Sequence, residues 1–433
     1  MDTKKFVFAT MPVTGHVSPL LPLAAKLIER NHEVYWYTSS RFQSRIQACG
    51  AAFVPYRAAR DIDYDNVNAL FPERARLTGI AQARFDLKHL IIDMALEQLP
   101  DVRTILGEVA ADAIVGDSFS LAVHFLAESL NLPHALVNVV NLGYPSRDTG
   151  PDGLALAPNS TALGRLRNRF LNWLVANVIL SDVKTHFLAA RAKLKLAPTV
   201  KSVFAAPFHA DLYLQPTIPA FEYPRSDLPD HVHFIGALTP AAAADDPLPD
   251  WWQQLEGSRP VVLVTQGTVA TNFDDLLLPA VRGLADEDVL VIGTTGNQSP
   301  DDLRTISRSG NLCLEKFIPY ARLMPFVDVM VTNGGYGGVH FALTHGIPLV
   351  AAGASEDKAE ICARIAWSGV GLNLKTSSPS SEQVRQAVKK VLEESRYKQK
   401  AQAMQAEFAR HDAPSEAADL LEKLADRGQR IHT

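Results

Sequence analysis

Four glycines, Gly334, Gly335, Gly337 and Gly338, separate an apolar run from a helix-forming segment, and few folds accept so bare a junction. The run Val327-Asp328-Val329-Met330-Val331-Thr332 is β-branched and ends at a glycine turn, which is the pattern of a buried strand. Beyond the turn, Val339, Ala342 and Leu343 share one helical face, Gly346 and Pro348 stop the helix, and residues 347–353 read as the next strand. Strand, turn, helix and strand make a βαβ unit and therefore a parallel sheet. A junction with so few side chains lets a ligand reach the backbone, and it aims unpaired N–H groups and the positive helix end at an anion. A phosphate or diphosphate at the carboxyl edge of the sheet is the natural occupant. The competing reading is a ligand-free tight turn that needs positive φ at several positions.

The same unit recurs near the N-terminus. Phe6-Val7-Phe8-Ala9-Thr10-Met11 reads as a buried strand, residues 12–16 as a turn, and residues 17–30 as a helix with Leu20, Leu23, Ala24 and Leu27 on one side. His32-Glu33-Val34-Tyr35-Trp36-Tyr37 is the second strand. The pattern returns at Ala113-Ile114-Val115-Gly116, a helix over 119–130 and a strand after Pro133. A second α/β region starts at Val261-Val262-Leu263-Val264-Thr265, continues through 289–292 and 312–315, and reaches the glycine-rich unit; residues 382–425 are helical in pattern. With 433 residues the chain exceeds one ordinary core. Prolines punctuate residues 216–249, and 238–250 read as a linker.

The expected fold class is therefore α/β, with two Rossmann-like doubly wound domains facing across a cleft. The expected boundaries are a first domain over 1–237, a second over 251–410, and a helical tail over 411–433 packing back on the first. Insertions at 56–110 and 141–205 follow parallel strands, where pockets are usually built. Phe71, Phe85, Phe119, Tyr144, Phe170 and Trp173 lie in or beside them and suit either an apolar pocket or core. The apolar patch over 170–179, interrupted by Asn172 and Asn177, reads first as core, then as a pocket wall or a weak membrane contact.

Composition excludes several classes. Lys and Arg number 42 against 47 acidic residues, net −5 with no basic block, so nucleic acid is not an expected partner. Cys49, Cys313 and Cys362 form no C-x-x-C pair or even framework, which suits a reducing cytoplasm and argues against structural zinc. Lys4 and Lys5 precede a short apolar run, but Pro12 and Thr14 break it and no small-residue cleavage site follows, so a signal peptide is not expected. No run approaches ~20 apolar residues, so no transmembrane segment is expected.

Several local patterns agree in order and spacing. Phe317-Ile318-Pro319-Tyr320 precedes Asn333-Gly334-Gly335, Gly346-Ile347-Pro348 follows, and then Glu356-Asp357-Lys358. This series resembles the donor-binding signature of the family 1 glycosyltransferases of GT-B fold, in particular their macrolide-glycosyltransferase-like bacterial branch. Gly15-His16-Val17-Ser18-Pro19 is similar to that family's Gly-His-x-x-Pro segment, and Thr265-Gln266-Gly267-Thr268 to its Ser-x-Gly-Ser loop near the phosphates. His231-Val232-His233-Phe234-Ile235-Gly236 is similar to the strand that enters the second domain.

The resemblance implies an inverting transfer of sugar from a nucleotide-diphosphosugar to a small acceptor. His16 would be the general base and Asp117, which follows a strand, would orient it; a histidine serving only loop backbone is the plainer reading. Asp112 precedes the same strand and should sit at its wrong end. Phe317 would stack on the base, the Ile318 backbone would bond its edge, and Gly15, Gly267, Thr268, Asn333, Gly334, Gly335, Gly337 and Gly338 would surround the diphosphate. Glu356, Asp357 and Lys358 would face the sugar, Asp357 serving also as a helix cap.

The sequence departs from that pattern at six positions. Asn333 replaces a His but retains a neutral donor for a phosphate oxygen, and Gly337 and Gly338 replace Asn and Ser/Thr. Phe341 stands where plant members carry a ribose-binding Glu, leaving uridine against thymidine open; Tyr320 and Lys358 replace glutamines. UDP-glucose is the first-choice donor, with a TDP-sugar as the alternative. No cofactor or metal is expected, since no Asp-x-Asp with flanking ligands is seen. The acceptor class is a macrolide, polyphenol, sterol, carotenoid or lipid-like molecule, and the protein is expected to be a cytoplasmic monomer or homodimer. The rival readings are a nucleotide-sugar epimerase or hydrolase, and a non-catalytic nucleotide-sugar-binding accessory protein. A dinucleotide-dependent dehydrogenase is disfavoured, because no G-x-G-x-x-G follows the first strand.

Overall fold

The computed structural model describes residues 2–239, 248–266, 272–295, 310–316, 318–354 and 357–432. Among them, strands β1 (Lys5–Ala9), β2 (Glu33–Tyr37), β3 (Ala52–Val54), β4 (Ala113–Asp117), β5 (His134–Val137), β6 (Leu212–Gln215) and β7 (Val232–Phe234) form one sheet, ordered 3-2-1-4-5-6-7. Strands β8 (Val261–Thr265), β9 (Leu290–Thr294), β10 (Leu312–Glu315), β11 (Val329–Thr332), β12 (Leu349–Ala351) and β13 (Gly371–Asn373) form a second sheet, ordered 10-9-8-11-12-13. Neighbouring strands within each sheet run parallel. Both sheets reverse their strand order once, between β1 and β4 and between β8 and β11, and such reversals open a ligand crevice at the carboxyl edge.

The continuous apolar runs follow from burial on both faces. Phe6 and Phe8 of β1 face one cluster, while Val7 and Ala9 face another with Ile114. The helices α1 (Leu21–Glu29), α2 (Met94–Val109) and α3 (Leu121–Leu130) flank this sheet, with α4 (Ala162–Leu174) and α5 (Ser181–Lys193) in the second insertion. The segment over 17–30, read as one helix, starts with a helical turn at Thr14–Val17 and a tighter 3₁₀ turn at Ser18–Leu20, where Pro19 sits, before α1. β7 closes the first sheet beside β6, so the 231–236 motif ends the first lobe as an edge strand.

In the second lobe α6 (Leu277–Leu284), α7 (Tyr336–Thr344), α8 (Lys358–Ser368), α9 (Ser381–Glu393), α10 (Ser395–Phe408) and α11 (Ala413–His432) follow. Helix α11 returns to the first sheet, where Ala417, Ala418, Leu421 and Ala425 pack in the cluster of Phe6 and Phe8. Arg30 reaches Asp419 and Glu422 on it, and His32 lies 2.9 Å from Glu422. Most of the 238–250 segment, residues 240–247, lies outside the described residues. Among the described residues no helix is long and apolar enough to cross a membrane.

Candidate active site

Strand β1 ends at Ala9 beside Gly116 of β4, so the loops leaving both strands start at the same point of the crevice. The turn Thr14–Val17 holds His16, and Asp117 is the last residue of β4. His16 Nδ1 lies 3.0 Å from Asp117 Oδ1, off the line of an ideal hydrogen bond, and the two side chains are 14% and 0% exposed. Catalytic pairs commonly sit loosely until substrate tightens them. Asp117 is fully engaged: its carboxylate accepts from the backbone N–H of Met11 (2.6 Å) and Phe119 (2.7 Å) and from the Ser120 hydroxyl (2.9 Å). Burial pushes its carboxyl up, but His16 and the two backbone donors outweigh that and hold it below its ordinary value. Asp117 is thus an anion facing Nδ1, which favours the proton on Nδ1 and leaves a lone pair on Nε2. The Phe119 ring stands 5.6 Å from the imidazole. Asp112 accepts from the Lys5 N–H at the opposite end of β1 and takes no part.

At the other crevice, β11 leads through Asn333 into α7, whose start carries no side-chain cap. Its first N–H groups therefore lack intrahelical partners. Gly334 has φ +88°, and a Cβ there would meet the Cys362 Sγ of α8 at 2.6 Å, so backbone conformation and close packing both require glycine. A Cβ on Gly335 would meet only the Asn333 Oδ1 at 3.8 Å, while one on Gly337, or on Gly15 in the other lobe, would meet nothing within 4 Å. A Cβ on Gly338 would meet the Met330 methyl at 3.6 Å, an ordinary packing contact with β11.

Other expected donor residues are placed differently. The Asn333 amide, expected at a phosphate oxygen, donates to the Gln266 carbonyl. That bond ties the β8 loop to the glycine turn, because the Gln266 side chain also accepts from Leu276 and Leu277 at the start of α6. Ile318 is buried in the core, as is Phe341. Asp357 stands at the cap position of α8 but makes no capping bond, and Lys358 is the first residue of that helix. Gly267, Thr268, Phe317 and Glu356 lie outside the described residues.

Of the aromatic candidates, Phe119 neighbours His16, and Phe71 and Phe85 pack edge to face at 5.7 Å. Tyr144 packs on Phe208, whereas Phe170 and Trp173 point outward, 57% and 56% exposed. The core reading of 170–179 is thereby overturned.

The structure adds polar contacts between the lobes that the motifs did not single out. The Ser118 hydroxyl donates to Asn138, whose amide donates to Gln215 (2.7 Å), and Gln215 donates to the Tyr336 hydroxyl (2.6 Å) inside the glycine-rich turn. His340, one turn further along α7, meets the Thr217 hydroxyl at 2.6 Å. Arg364 of α8 bonds Glu222 of the first lobe (2.7 Å) and Glu360 (2.9 Å), each group at most 4% exposed, and stacks 4.2 Å over Tyr223. Glu360 in turn accepts from the N–H groups of Gly153 and Ala155. Single-sequence spacing carries no signal for partners this far apart.

Residues 278–424 match the family model of the erythromycin biosynthesis protein CIII-like C-terminal domain. The chain is 42% identical over 421 residues to 4'-demethylrebeccamycin synthase of Lentzea aerocolonigenes, covering 97% of this chain and 99% of that one. It is 34% identical over 438 residues to UDP-glycosyltransferase 2 of Phaeomoniella chlamydospora, covering 97% and 95%. Its fold matches that of the calicheamicin glycosyltransferase over 99% of both chains, with a TM-score of 0.76 at 20% identity.

Two parallel-sheet lobes, each with its loops gathered at the point of strand reversal, are the GT-B architecture, and this chain belongs to the family 1-like GT-B glycosyltransferases. It is a glycosyltransferase.

Proposed function

We propose that the protein is an inverting transferase that moves a hexose, glucose first, from a nucleotide-diphosphosugar to a hydroxyl of a small, largely apolar natural product. The observation that carries this reading is the His16–Asp117 pair at the strand reversal of the first lobe, in a chain whose second lobe presents an uncapped glycine-rich helix start. His16 Nε2 takes the acceptor proton as the acceptor oxygen attacks the anomeric carbon. The bond to the diphosphate oxygen breaks on the opposite side, and the nucleoside diphosphate leaves with the electron pair. Asp117 stabilises the imidazolium that forms. The first N–H groups of α7, around Gly334, Gly335, Gly337 and Gly338, receive the departing negative charge. Relatives named as UDP-glucosyltransferases support UDP-glucose over a TDP-sugar, and the synthase relative supports a natural-product acceptor. Asp357 and Lys358 hold the sugar, and Phe317 and Ile318 the base. The lobes are assigned to 1–237 and 251–410, joined by 238–250, with 411–433 as a tail.

The test is turnover of UDP-glucose with a panel of phenol and alcohol acceptors. Acceptor-dependent release of UDP, with a β-linked product from the α-linked donor, is expected. Release without acceptor would instead indicate a hydrolase or epimerase, and binding without turnover an accessory protein.

A further inference from the structure

Helix α4 is built inside out. Its protein-facing side is polar: Asn168, fully buried, donates to the carbonyls of Arg147 and Asn159, Asn172 donates to Thr149, and Arg165 pairs with Asp148 at 2.8 Å. Its outward side carries Leu163 (80% exposed), Leu166 (64%), Phe170 and Trp173, which fall at helical spacing on one face. Val178, in the turn that continues the helix, is also exposed. Exposed Arg167 and Arg169 flank the apolar stripe on either side, the arrangement in which long cationic side chains snorkel past an interface.

Charge in the same insertion is one-sided. Residues 141–205 hold nine Lys and Arg against Asp148, Asp152 and Asp182, in a chain of net charge −5; Arg165 and Arg191 are paired with Asp148 and Glu128, while Arg167 and Arg169 beside the stripe are exposed. A second copy meeting this face would bring like charges together. A small acceptor is too short to cover it, since residues 163–178 run about 22 Å along a helix. An anionic lipid surface answers both the apolar stripe and the cationic flanks.

We propose that α4 is an interfacial helix that docks the protein on anionic lipid bilayers, with its axis in the membrane plane and Leu163, Leu166, Phe170 and Trp173 in the acyl boundary. The proposal leaves the roles of His16 and Asp117 unchanged, since none of the four stripe residues is assigned a part in the transfer.

The experiment is co-sedimentation of the full chain with phosphatidylglycerol/phosphatidylcholine vesicles and with phosphatidylcholine vesicles alone. Binding is expected only to the anionic vesicles, and it should weaken as salt is raised. Leu166→Ser/Phe170→Ser should reduce the bound fraction about tenfold, because two of the four inserted apolar side chains are removed. Arg167→Gln/Arg169→Gln should reduce it severalfold; because the Arg167 guanidinium also bonds Asn168 Oδ1 at 2.8 Å, Arg169→Gln alone is the control, and it should weaken binding with an unchanged melting temperature. No sedimentation with anionic vesicles would overturn the proposal. So would undiminished binding by either double variant, or concentration-dependent dimerisation that is lost in Leu166→Ser/Phe170→Ser.

Discussion

Gln215, the last residue of β6 in the first lobe, donates from Nε2 to the hydroxyl of Tyr336 in the second lobe at 2.6 Å, and both side chains are buried. Through Asn138 and Ser118 the same chain of bonds reaches the residue next to Asp117. The end of β4 and the glycine-rich helix start are therefore held in one polar network, and the position of one lobe is referred to the other by directional contacts.

Tyr336→Phe removes that link while leaving Gln215 its bond to the Val140 carbonyl. Stability should fall by only about 1 kcal/mol, the net worth of one hydrogen bond. The glycine turn loses its tether, so the donor KM should rise severalfold while the pH profile of kcat stays as in the parent. Steady-state kinetics with varied donor would check this.

His16→Ala should lower kcat/KM by two to four orders of magnitude, about what general-base catalysis supplies. UDP binding, measured calorimetrically, should stay within a factor of about two, because the proposed function assigns the nucleotide to the other lobe. Asp117→Asn should also lower kcat strongly, and it costs stability as well, since three donors converge on the carboxylate. Parent-like activity in His16→Ala would remove the base assignment.

Breaking the Glu222–Arg364 pair should be costly. Glu222→Gln leaves a buried guanidinium partly uncompensated, and removing one partner of such a pair costs about 3–5 kcal/mol. Thermal unfolding should drop by several degrees, and the lobes should separate more readily, visible as faster cleavage by protease near 238–250.

His340 donates from Nδ1 to the Tyr336 carbonyl and receives the Thr217 hydroxyl at Nε2, so both ring nitrogens are satisfied in the neutral form. Burial lowers its pKa to about 4. Below its ordinary value near 6.5 the unfolded chain takes up a proton that the folded chain refuses, so this stabilisation is present above pH ~6.5 and is lost as pH falls toward 4. The loss is of order 2–3 kcal/mol. His340→Gln should flatten the melting-temperature profile between pH 6.5 and 4, and an unchanged slope would refute the assignment.

The βαβ pattern was legible because strands buried on both faces must be continuously apolar, as 5–9 and 329–332 both are, and because the second of them ends at the glycine-rich turn 334–338. His16 and Asp117 were legible for a related reason: Asp117 ends a strand and His16 lies in the turn after one, and parallel strands that pair in register bring their ends together. Local pattern did not reveal the short strands β3, β6 and β13, whose runs of three or four residues differ little from loops. Nor did it reveal that Phe170 and Trp173 face outward, because an amphipathic helix announces two faces without saying which is buried.

By itself, then, the sequence determined two parallel-sheet units, the bare helix start at 334–338 and the loops that carry His16 and Asp117, since each is a matter of neighbouring residues. Tertiary structure alone decided which side of α4 meets water, that the Asn333 amide serves Gln266, and that Gln215, Glu222, Tyr336 and Arg364 join the lobes. Those outcomes depend on partners tens to hundreds of positions apart, whose pairing is set by how two sheets pack and not by any spacing along the chain.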